Sequence, residues 1–214
     1  MQLEQADTRL IQKFWQTICE MDRNVNPAIN NKGEKDRPFN ERIRRNNGDD
    51  GIFYLGITRD SKKDSPVERT VDVELGKKLF FTSLGIIATE FESNEDLVEL
   101  ARNDQGSIVS QSIEIDGGQT LKLTEQEITK DFRVREPVKF MVNFPPDVQK
   151  AIFPAKVGAN HENAEAVADG AYLISDPLQE FHEIHFRGEI ICSHKLCLEK
   201  EFFQDVRYKI NMKA

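Results

Sequence analysis

The sequence predicts a mainly β fold: an antiparallel β-sandwich, jelly-roll-like, with an N-terminal amphipathic helix and short capping helices. Three observations predict it. From residue 51 onward, short apolar or alternating runs are separated by turn residues, as is typical of β-strands. Near the N-terminus, apolar side chains recur every three or four positions instead. The C-terminal end alternates apolar and polar side chains along two successive runs, which indicates an antiparallel hairpin.

The N-terminal segment, residues 1–22, is predicted to form one amphipathic helix over residues 3–21. Its apolar side chains share one face, which must pack against the rest of the protein. They are Leu3, Ala6, Leu10, Ile11, Phe14, Trp15 and Ile18.

Residues 31–50 are predicted to form a charged surface loop. Eleven of these twenty residues are charged, and Gly33, Pro38 and Gly48 interrupt the segment. A basic cluster lies within it, formed by Arg42, Arg44 and Arg45. The cluster could contact phosphate or an acidic partner, but beside Glu41, Asp49 and Asp50 a solvated surface is the ordinary explanation.

The β core is expected over residues 51–214. Candidate strands cover residues 52–58, 68–74, 78–87, 110–115, 120–123, 138–144 and 171–175. Asp116-Gly117-Gly118 predicts a tight turn and therefore a hairpin over residues 112–123. Ser93 with Asp96, and Thr124 with Glu127, predict the starts of two short helices. Residues 160–168 are compatible with either a third short helix or a loop.

The C-terminal hairpin, over residues 181–212, has the clearest pattern. In its first strand His182, Ile184 and Phe186 share one face, and in its second strand Val206 and Tyr208 do so. A slip of one residue would bury charged side chains, so the register is strongly specified.

Length and composition favour one domain, residues 1–214, without nucleic acid as a partner. Apolar residues make up 38% of the 214 residues and charged residues 31%, and the net charge of −8 repels polyphosphates. No apolar run reaches the length of about 20 residues that a membrane helix requires. The first residues lack the pattern of a signal peptide, so the sequence as written predicts a cytoplasmic protein.

His182 is the first candidate for a functional site. It lies on the predicted core face, where a hydrogen-bonded neutral imidazole is the ordinary explanation. His185 faces the opposite side, where a solvated cross-strand network with Glu183 and Arg187 is the ordinary explanation. Asp116 and Asp169 each precede a glycine and can act simply in turns.

These polar residues could also form one pocket. If either aspartate lines a cavity with His182, Arg69 and Lys77, the group would suit an anionic or hydroxylated ligand. His182 with Asp169 would then be the candidate catalytic residues. The candidate ligand-binding residues are Arg69, Lys77, Asp116, Asp169, His182 and His185.

The loop of the C-terminal hairpin holds Cys192, His194 and Cys197. These side chains can bind zinc or copper, with His185 or His161 as a fourth ligand. A reduced loop without metal and a disulfide between Cys192 and Cys197 are the other interpretations. With Cys19, the three cysteines cannot all pair within one chain.

Several short segments, in a fixed order, resemble a family of proteins. They are Phe14-Trp15, Asn26-Pro27, Gly33, Phe53-Tyr54-Leu55-Gly56, Glu68-Arg69-Thr70, Gly76-Lys77-Lys78-Leu79-Phe80-Phe81, Asp116-Gly117, residues 137–145, Ala168-Asp169-Gly170-Ala171-Tyr172, residues 182–188 and residues 206–210. The family consists of uncharacterised, mostly secreted prokaryotic proteins.

The resemblance implies a β-sandwich without an established activity. It also implies an extracellular or periplasmic location, and it adds weight to His182 and His185, because the family motif carries histidines at both places. The chain departs from the family pattern in three respects: no signal peptide, Thr82-Ser83 where a proline usually follows the paired phenylalanines, and the charged segment 31–50.

The sequence therefore favours a non-enzymatic binding or interaction protein that requires no cofactor, with loops at one end as the recognition surface. An enzyme with a pocket around His182 and a metal-binding protein using the Cys192, His194 and Cys197 loop are the alternatives.

Overall fold

A computed structural model describes residues 1–29, 36–56, 66–89, 96–116, 121–148, 162–180, 182–191 and 201–213. The helices are α1 (Thr8–Glu20), α2 (Asp36–Asn47), α3 (Leu97–Gln105) and α4 (Glu125–Phe132). The strands are β1 (Leu3–Gln5), β2 (Ile52–Tyr54), β3 (Val67–Glu74), β4 (Lys78–Thr89), β5 (Ile108–Ile115), β6 (Leu121–Leu123), β7 (Val138–Val142), β8 (Ala164–Ser175), β9 (His182–Ile191) and β10 (Glu201–Lys213). The predicted mainly β fold is confirmed.

The first sheet, sheet A, has the order β1-β8-β4-β2, and β7 also pairs with β8. Strand β8 is its centre. Strand β4 runs antiparallel along one edge of β8. Strands β7 and β1 pair with the beginning and the end of its other edge.

The second sheet, sheet B, has the order β3-β10-β9-β5-β6. Its centre is the C-terminal hairpin, in which Ile184 pairs with Tyr208 and His182 with Ile210. The predicted antiparallel hairpin is confirmed. The hairpin of β5 and β6 is confirmed as well, with Ile115 opposite Leu121.

Both sheets are mixed, whereas the sequence predicted antiparallel sheets. Strand β3 runs parallel to β10, and β2 runs parallel to β4. Turn residues and alternation report the pairing of strands that are neighbours in sequence. They carry no information about β3 and β10, which lie more than a hundred residues apart.

The inner faces of the two sheets pack against each other. The rings of Phe81 on β4 and Phe186 on β9 have centroids 5.3 Å apart. Gly188 allows a close approach, since a Cβ there would lie 2.4 Å from Leu84 Cδ1. The buried cluster between the sheets includes Val71, Val73, Leu79, Ile113, Ile115, Leu173, Ile184, Val206, Tyr208 and Ile210. Its apolar burial is the main contribution to the stability of the fold.

Helices α1 and α2 cover the other face of sheet A. Asp7 caps α1, because its Oδ1 accepts a hydrogen bond from Leu10 N at 3.0 Å. Phe14 and Phe39 of the two helices pack with Phe80 of sheet A in one buried cluster. The indole of Trp15 donates a hydrogen bond of 2.7 Å to the hydroxyl of Tyr172. Helix α3 packs on the end of β4 and the beginning of β8 through Leu100 and Ala101.

Helix α2 corrects the prediction of a charged surface loop over residues 31–50, of which residues 31–35 lie outside the described part. Residues 36–47 are helical because Phe39 and Ile43, one turn apart, are both buried. Asp36 at its first turn is also buried. The charged composition hid this narrow apolar face.

Three further boundaries differ from the prediction. Residues 164–168 belong to β8, which is buried on both faces and therefore shows no alternation. The predicted N-terminal helix starts only at Thr8, because residues 3–5 pair with β8 as β1. Helix α3 is capped by Asp96, whose Oδ1 accepts from Val98 N at 2.8 Å. The predicted cap Ser93 lies outside the described residues.

The capping box of α4 is confirmed, with Glu127 Oε2 accepting from Thr124 N at 2.8 Å. Across the described ranges, the helices fall short of the length and apolar character needed to span a bilayer.

Candidate functional site

His182 at the start of β9 pairs with Asp116 at the end of β5. The imidazole Nδ1 lies 2.9 Å from Asp116 Oδ2, and the imidazole side chain is only 6% exposed. An ionised carboxylate can only accept, so Nδ1 carries the proton. Asp116 Oδ1 also accepts from the backbone N–H of Glu183 at 2.9 Å. The two oxygens of Asp116 therefore fix both the imidazole and the first residues of β9.

Asp116 is thus more than a turn residue. Its backbone has a φ of +54°, which is the left-handed region that aspartate tolerates better than most residues. This conformation ends β5 and directs the side chain toward β9. The glycines that follow, Gly117 and Gly118, lie outside the described residues.

Arg69 lies at the centre of a different, fully buried cluster. Its Nη1 is 3.3 Å from Asp36 Oδ2 and 2.8 Å from the hydroxyl of Tyr208. Its Nη2 donates to the carbonyl of Pro27 at 2.8 Å. The side chains of Arg69 and Asp36 are both 0% exposed. The cluster joins the start of α2 to strands β3 and β10.

Gly56 completes this cluster. Its N–H donates to Asp36 Oδ1 at 2.7 Å, and its carbonyl lies 2.8 Å from the hydroxyl of Tyr208. A Cβ at this position would lie 2.5 Å from Pro27 Cβ and 2.9 Å from Asp36 Oδ1. Glycine is therefore required by the close approach of these groups.

Burial and charge oppose each other within the cluster. Burial raises the pKa of Asp36, although the charge of Arg69 and the hydrogen bonds from Gly56 and Tyr208 lower it. Burial by itself lowers the pKa of Arg69, but Tyr208 and Asp36 raise it by more. The guanidinium therefore stays protonated, and the cluster serves as a structural link between α2 and sheet B.

The remaining candidates for the predicted pocket have partners of their own. Lys77 Nζ lies 2.7 Å from Asp49 Oδ2 near the surface. Asp169, which is buried, accepts from Arg133 Nη2 at 2.7 Å. Asp169 Oδ1 also accepts from Gly170 N at 2.7 Å. Both residues lie within β8 and pair with β4, so the predicted role of Asp169 in a turn is wrong.

Of the predicted pocket residues, Asp116 and His182 contact each other. Arg69, Lys77 and Asp169 pair with Asp36, Asp49 and Arg133 instead. A common ligand for them stays a prediction. Asp36, Arg133 and Asp205, the partner of His185, were missed because none carries a local motif. Their only signal was charge, and their partners are distant in sequence.

His185 faces the outer side of sheet B, as predicted, but it is not solvated. It is 6% exposed, and its Nε2 lies 2.6 Å from Asp205 Oδ1. The register places Arg207 directly opposite His185, so Asp205 is its diagonal neighbour. The predicted network with Glu183 and Arg187 is therefore replaced at His185 by a single close carboxylate. Glu183 contacts Arg207 instead, at 3.4 Å.

One row of four charged residues with His185 at its centre crosses all five strands on this outer face. The register aligns Lys122 with Glu114, Glu114 with His185, His185 with Arg207, and Arg207 with Glu68. We call these five residues the outer row. Lys122 lies 2.8 Å from Glu114, and this bond lowers the pKa of the Glu114 carboxyl. Charges of alternating sign thus surround His185.

The predicted basic cluster lies on α2. Arg42 Nη2 donates to the carbonyl of Glu20 at 3.1 Å, while Arg44 and Arg45 are exposed in the last turn. Cations there are favourable because the helix dipole places partial negative charge at its C-terminal end.

The predicted metal loop with Cys192, His194 and Cys197, and His161 with it, lies outside the described residues. Within the described part of the chain, no group of three or more His, Cys, Asp or Glu side chains could hold a metal ion. Cys19 is a free, buried thiol, and burial raises its pKa well above the ordinary value.

Comparisons with known proteins leave the family open. No protein-family model and no curated protein matches the chain. Among solved structures, the chain is similar to one described as the solution structure of Amebosin, at 8% sequence identity and a TM-score of 0.20. The match covers 68% of this chain and 89% of that chain. A TM-score this low carries no structural argument.

Proposed function

We propose that the protein is a non-enzymatic binding or interaction protein that recognises a protein partner through the outer face of sheet B. The observation that carries the proposal is the outer row. It lies on a sheet face that holds Glu68, Glu183 and Arg207 among other charged side chains, while the described helices pack against sheet A or beside the inner core.

The burial of His182 supports binding over catalysis. A general base must reach its substrate, whereas this imidazole is 6% exposed and held by Asp116. Its position beside the core between the sheets is that of a satisfied core histidine.

The chemistry of the outer face favours a protein partner over a nucleic acid. Glu68, Glu114 and Asp205 would repel phosphates, whereas Lys122 and Arg207 alternate with acids instead of forming a basic patch. A partner surface with both signs of charge would complement this pattern, because electrostatic complementarity selects partners and fixes their register.

The proposal includes two finer points of structure. The two sheets, which share one buried cluster, are proposed to form a β-sandwich, and the motifs quoted above support membership of the uncharacterised prokaryotic family. The jelly-roll-like arrangement and the loops as recognition surface receive less support than the sheet face.

Site-specific photo-cross-linking in the source cells tests this proposal. A photo-reactive residue replaces Ser112, which lies on the outer face of β5, and in a control it replaces the exposed Lys139 on β7 of sheet A. We expect a discrete protein adduct from position 112 and none from position 139. The absence of any adduct from position 112, or the same adducts from both positions, would contradict the proposal.

A further inference from the structure

The outer row is antisymmetric about its centre. Read from β6 to β3, its charges are positive at Lys122, negative at Glu114, positive at Arg207 and negative at Glu68, with His185 in the middle. Reversing the order of the row therefore exchanges every charge for its opposite. A surface with this property is complementary to a second copy of itself.

We propose that the outer face of sheet B binds a second copy of this chain as a symmetric dimer, with a two-fold axis running along β9. This inference rests on the proposed function and names its partner. Lys122 then meets the partner's Glu68, and Glu114 meets the partner's Arg207. A two-fold axis repeats both contacts, as in all isologous interfaces. His185, which is 6% exposed, lies at the centre of the row.

The charges select this axis. A two-fold axis across the strands, along the row itself, would bring Lys122 against the partner's Lys122 and Arg207 against the partner's Arg207. On β9, Glu183 and Arg187 do approach their own copies. Packed sheets cross at about 30°. This crossing angle displaces Glu183 and Arg187, which lie two residues from His185 along β9, sideways from their own copies by about 3 Å. Glu183 also keeps Arg207 within 3.4 Å in its own chain.

The apolar residues of the face support the same axis. Val109 and Ile191 are 49% and 44% exposed, and they lie at neighbouring ends of β5 and β9. Rotation about β9 brings Ile191 beside the partner's Ile191 and keeps both apolar ends together. Exposed apolar side chains that cluster at one end of a sheet face are typical of contact surfaces.

The area of the face suits a stable dimer. The five strands differ in length, from three residues in β6 to thirteen in β10. At a strand spacing of about 4.8 Å and a rise of about 3.4 Å per residue, they present roughly 700 Å² per chain. Specific protein interfaces of standard size bury about 800 Å² per partner.

Complementary charge reversal tests the dimer. Lys122 and Glu68 have side chains that are 61% and 53% exposed, so K122E and E68K should fold, which circular dichroism and urea unfolding verify. In each variant alone, both contacts become repulsive. In the mixed dimer of K122E with E68K, both contacts join opposite charges again. R102E, which breaks the exposed Arg102 to Glu136 pair on α3, is the matched control.

Sedimentation velocity of the full chain over a range of concentrations measures the result. We expect wild type and R102E to dimerise with the same Kd, each single reversal to raise the Kd about tenfold or more, and the mixture to recover the wild-type value. Recovery on mixing cannot arise from repair within either chain. A monomeric wild type, unaffected single variants, or a mixture without recovery would overturn the dimer.

The cross-link at position 112 separates the two proposals. An adduct of twice the chain mass supports the dimer. An adduct of any other mass overturns the dimer and leaves the proposed function standing, whereas no adduct overturns both.

Discussion

Glu68 and Arg69 are neighbours on β3, yet their charges act in opposite environments. Glu68 lies on the outer face, 53% exposed, within 3.3 Å of Lys209 and 3.6 Å of Arg207. Arg69 lies on the inner face, fully buried with Asp36 and Tyr208. The alternation of a β-strand alone separates these two environments.

The difference shows that a charged side chain can contribute to stability or to recognition, depending on the face of the sheet that it occupies. A buried ion pair must recover the cost of removing both charges from water, and losing one partner leaves the other uncompensated. An exposed pair contributes little to stability because water and salt screen it. Its side chains can therefore exchange an intrachain partner for one on another surface.

Removing the buried cation should produce the largest effect. We expect Arg69→Met to lower the free energy of unfolding by about 3–5 kcal/mol, because Asp36 would remain buried without its cation. Glu68→Gln, one residue earlier on the outer face, should cost less than about 1 kcal/mol. Urea unfolding measures both variants. Equal losses for the two would show that the face of the strand does not decide the role of the charge.

Substitutions of the two histidines of β9 should have effects of intermediate size on the free energy of unfolding. We expect His182→Gln to cost about 1–3 kcal/mol, because it removes the partner of Asp116 beside the core. His185→Gln should cost about 1 kcal/mol, since its partner Asp205 lies on the outer face.

Asp116→Asn provides the coupled control. Because Asp116 and His182 share one hydrogen bond, the double variant should lose less than the sum of the two single losses. Additive losses, or an unchanged unfolding free energy in His182→Gln, would count against a structural role.

The smallest effect concerns pH. The bond to Lys122 lowers the pKa of Glu114 in the folded protein, so its stabilisation is present above the unfolded pKa of about 4.3 and is lost as pH falls through the folded value. At pH 6 the free energy of unfolding of the wild type should exceed that of Glu114→Gln by less than about 1 kcal/mol. This difference in stability should shrink below about pH 4.

Urea unfolding at several pH values measures this difference, and carboxyl NMR follows Glu114 directly. Lys122→Gln should remove the same pH-dependent contribution to the free energy of unfolding. Combining it with Glu114→Gln should cause no further loss of that contribution. A difference that grows on acidification would reverse the sign of the argument.

The sequence predicted those parts of the fold that depend on local patterns of apolar, polar and capping residues. Alternation predicted the hairpin of β9 and β10 and the inner face of each strand, and the capping box predicted the start of α4. Helix α2 was missed because only Phe39 and Ile43 mark its buried face among many charges. The parallel pairing of β3 with β10 was missed because no local signal joins strands so far apart in sequence.

For the candidate site, the sequence predicted several of the residues but few of the contacts between them. His182 and Asp116 were both singled out, and they do contact each other. Arg69 was also singled out, but its partner Asp36 lay in a segment whose composition indicated solvation. The outer row depends on the order of five strands, of which the sequence predicted only the pairs within the two hairpins.

The hydrogen bond between Trp15 and Tyr172 gives the protein an internal optical reporter. Trp15 is the one tryptophan of the chain, and it is 3% exposed between α1 and sheet A. Its fluorescence therefore reports on the helix layer, on the side of sheet A away from sheet B. Separation of the helices from sheet A would expose the indole to water, whereas an event confined to the far sheet would leave the emission unchanged.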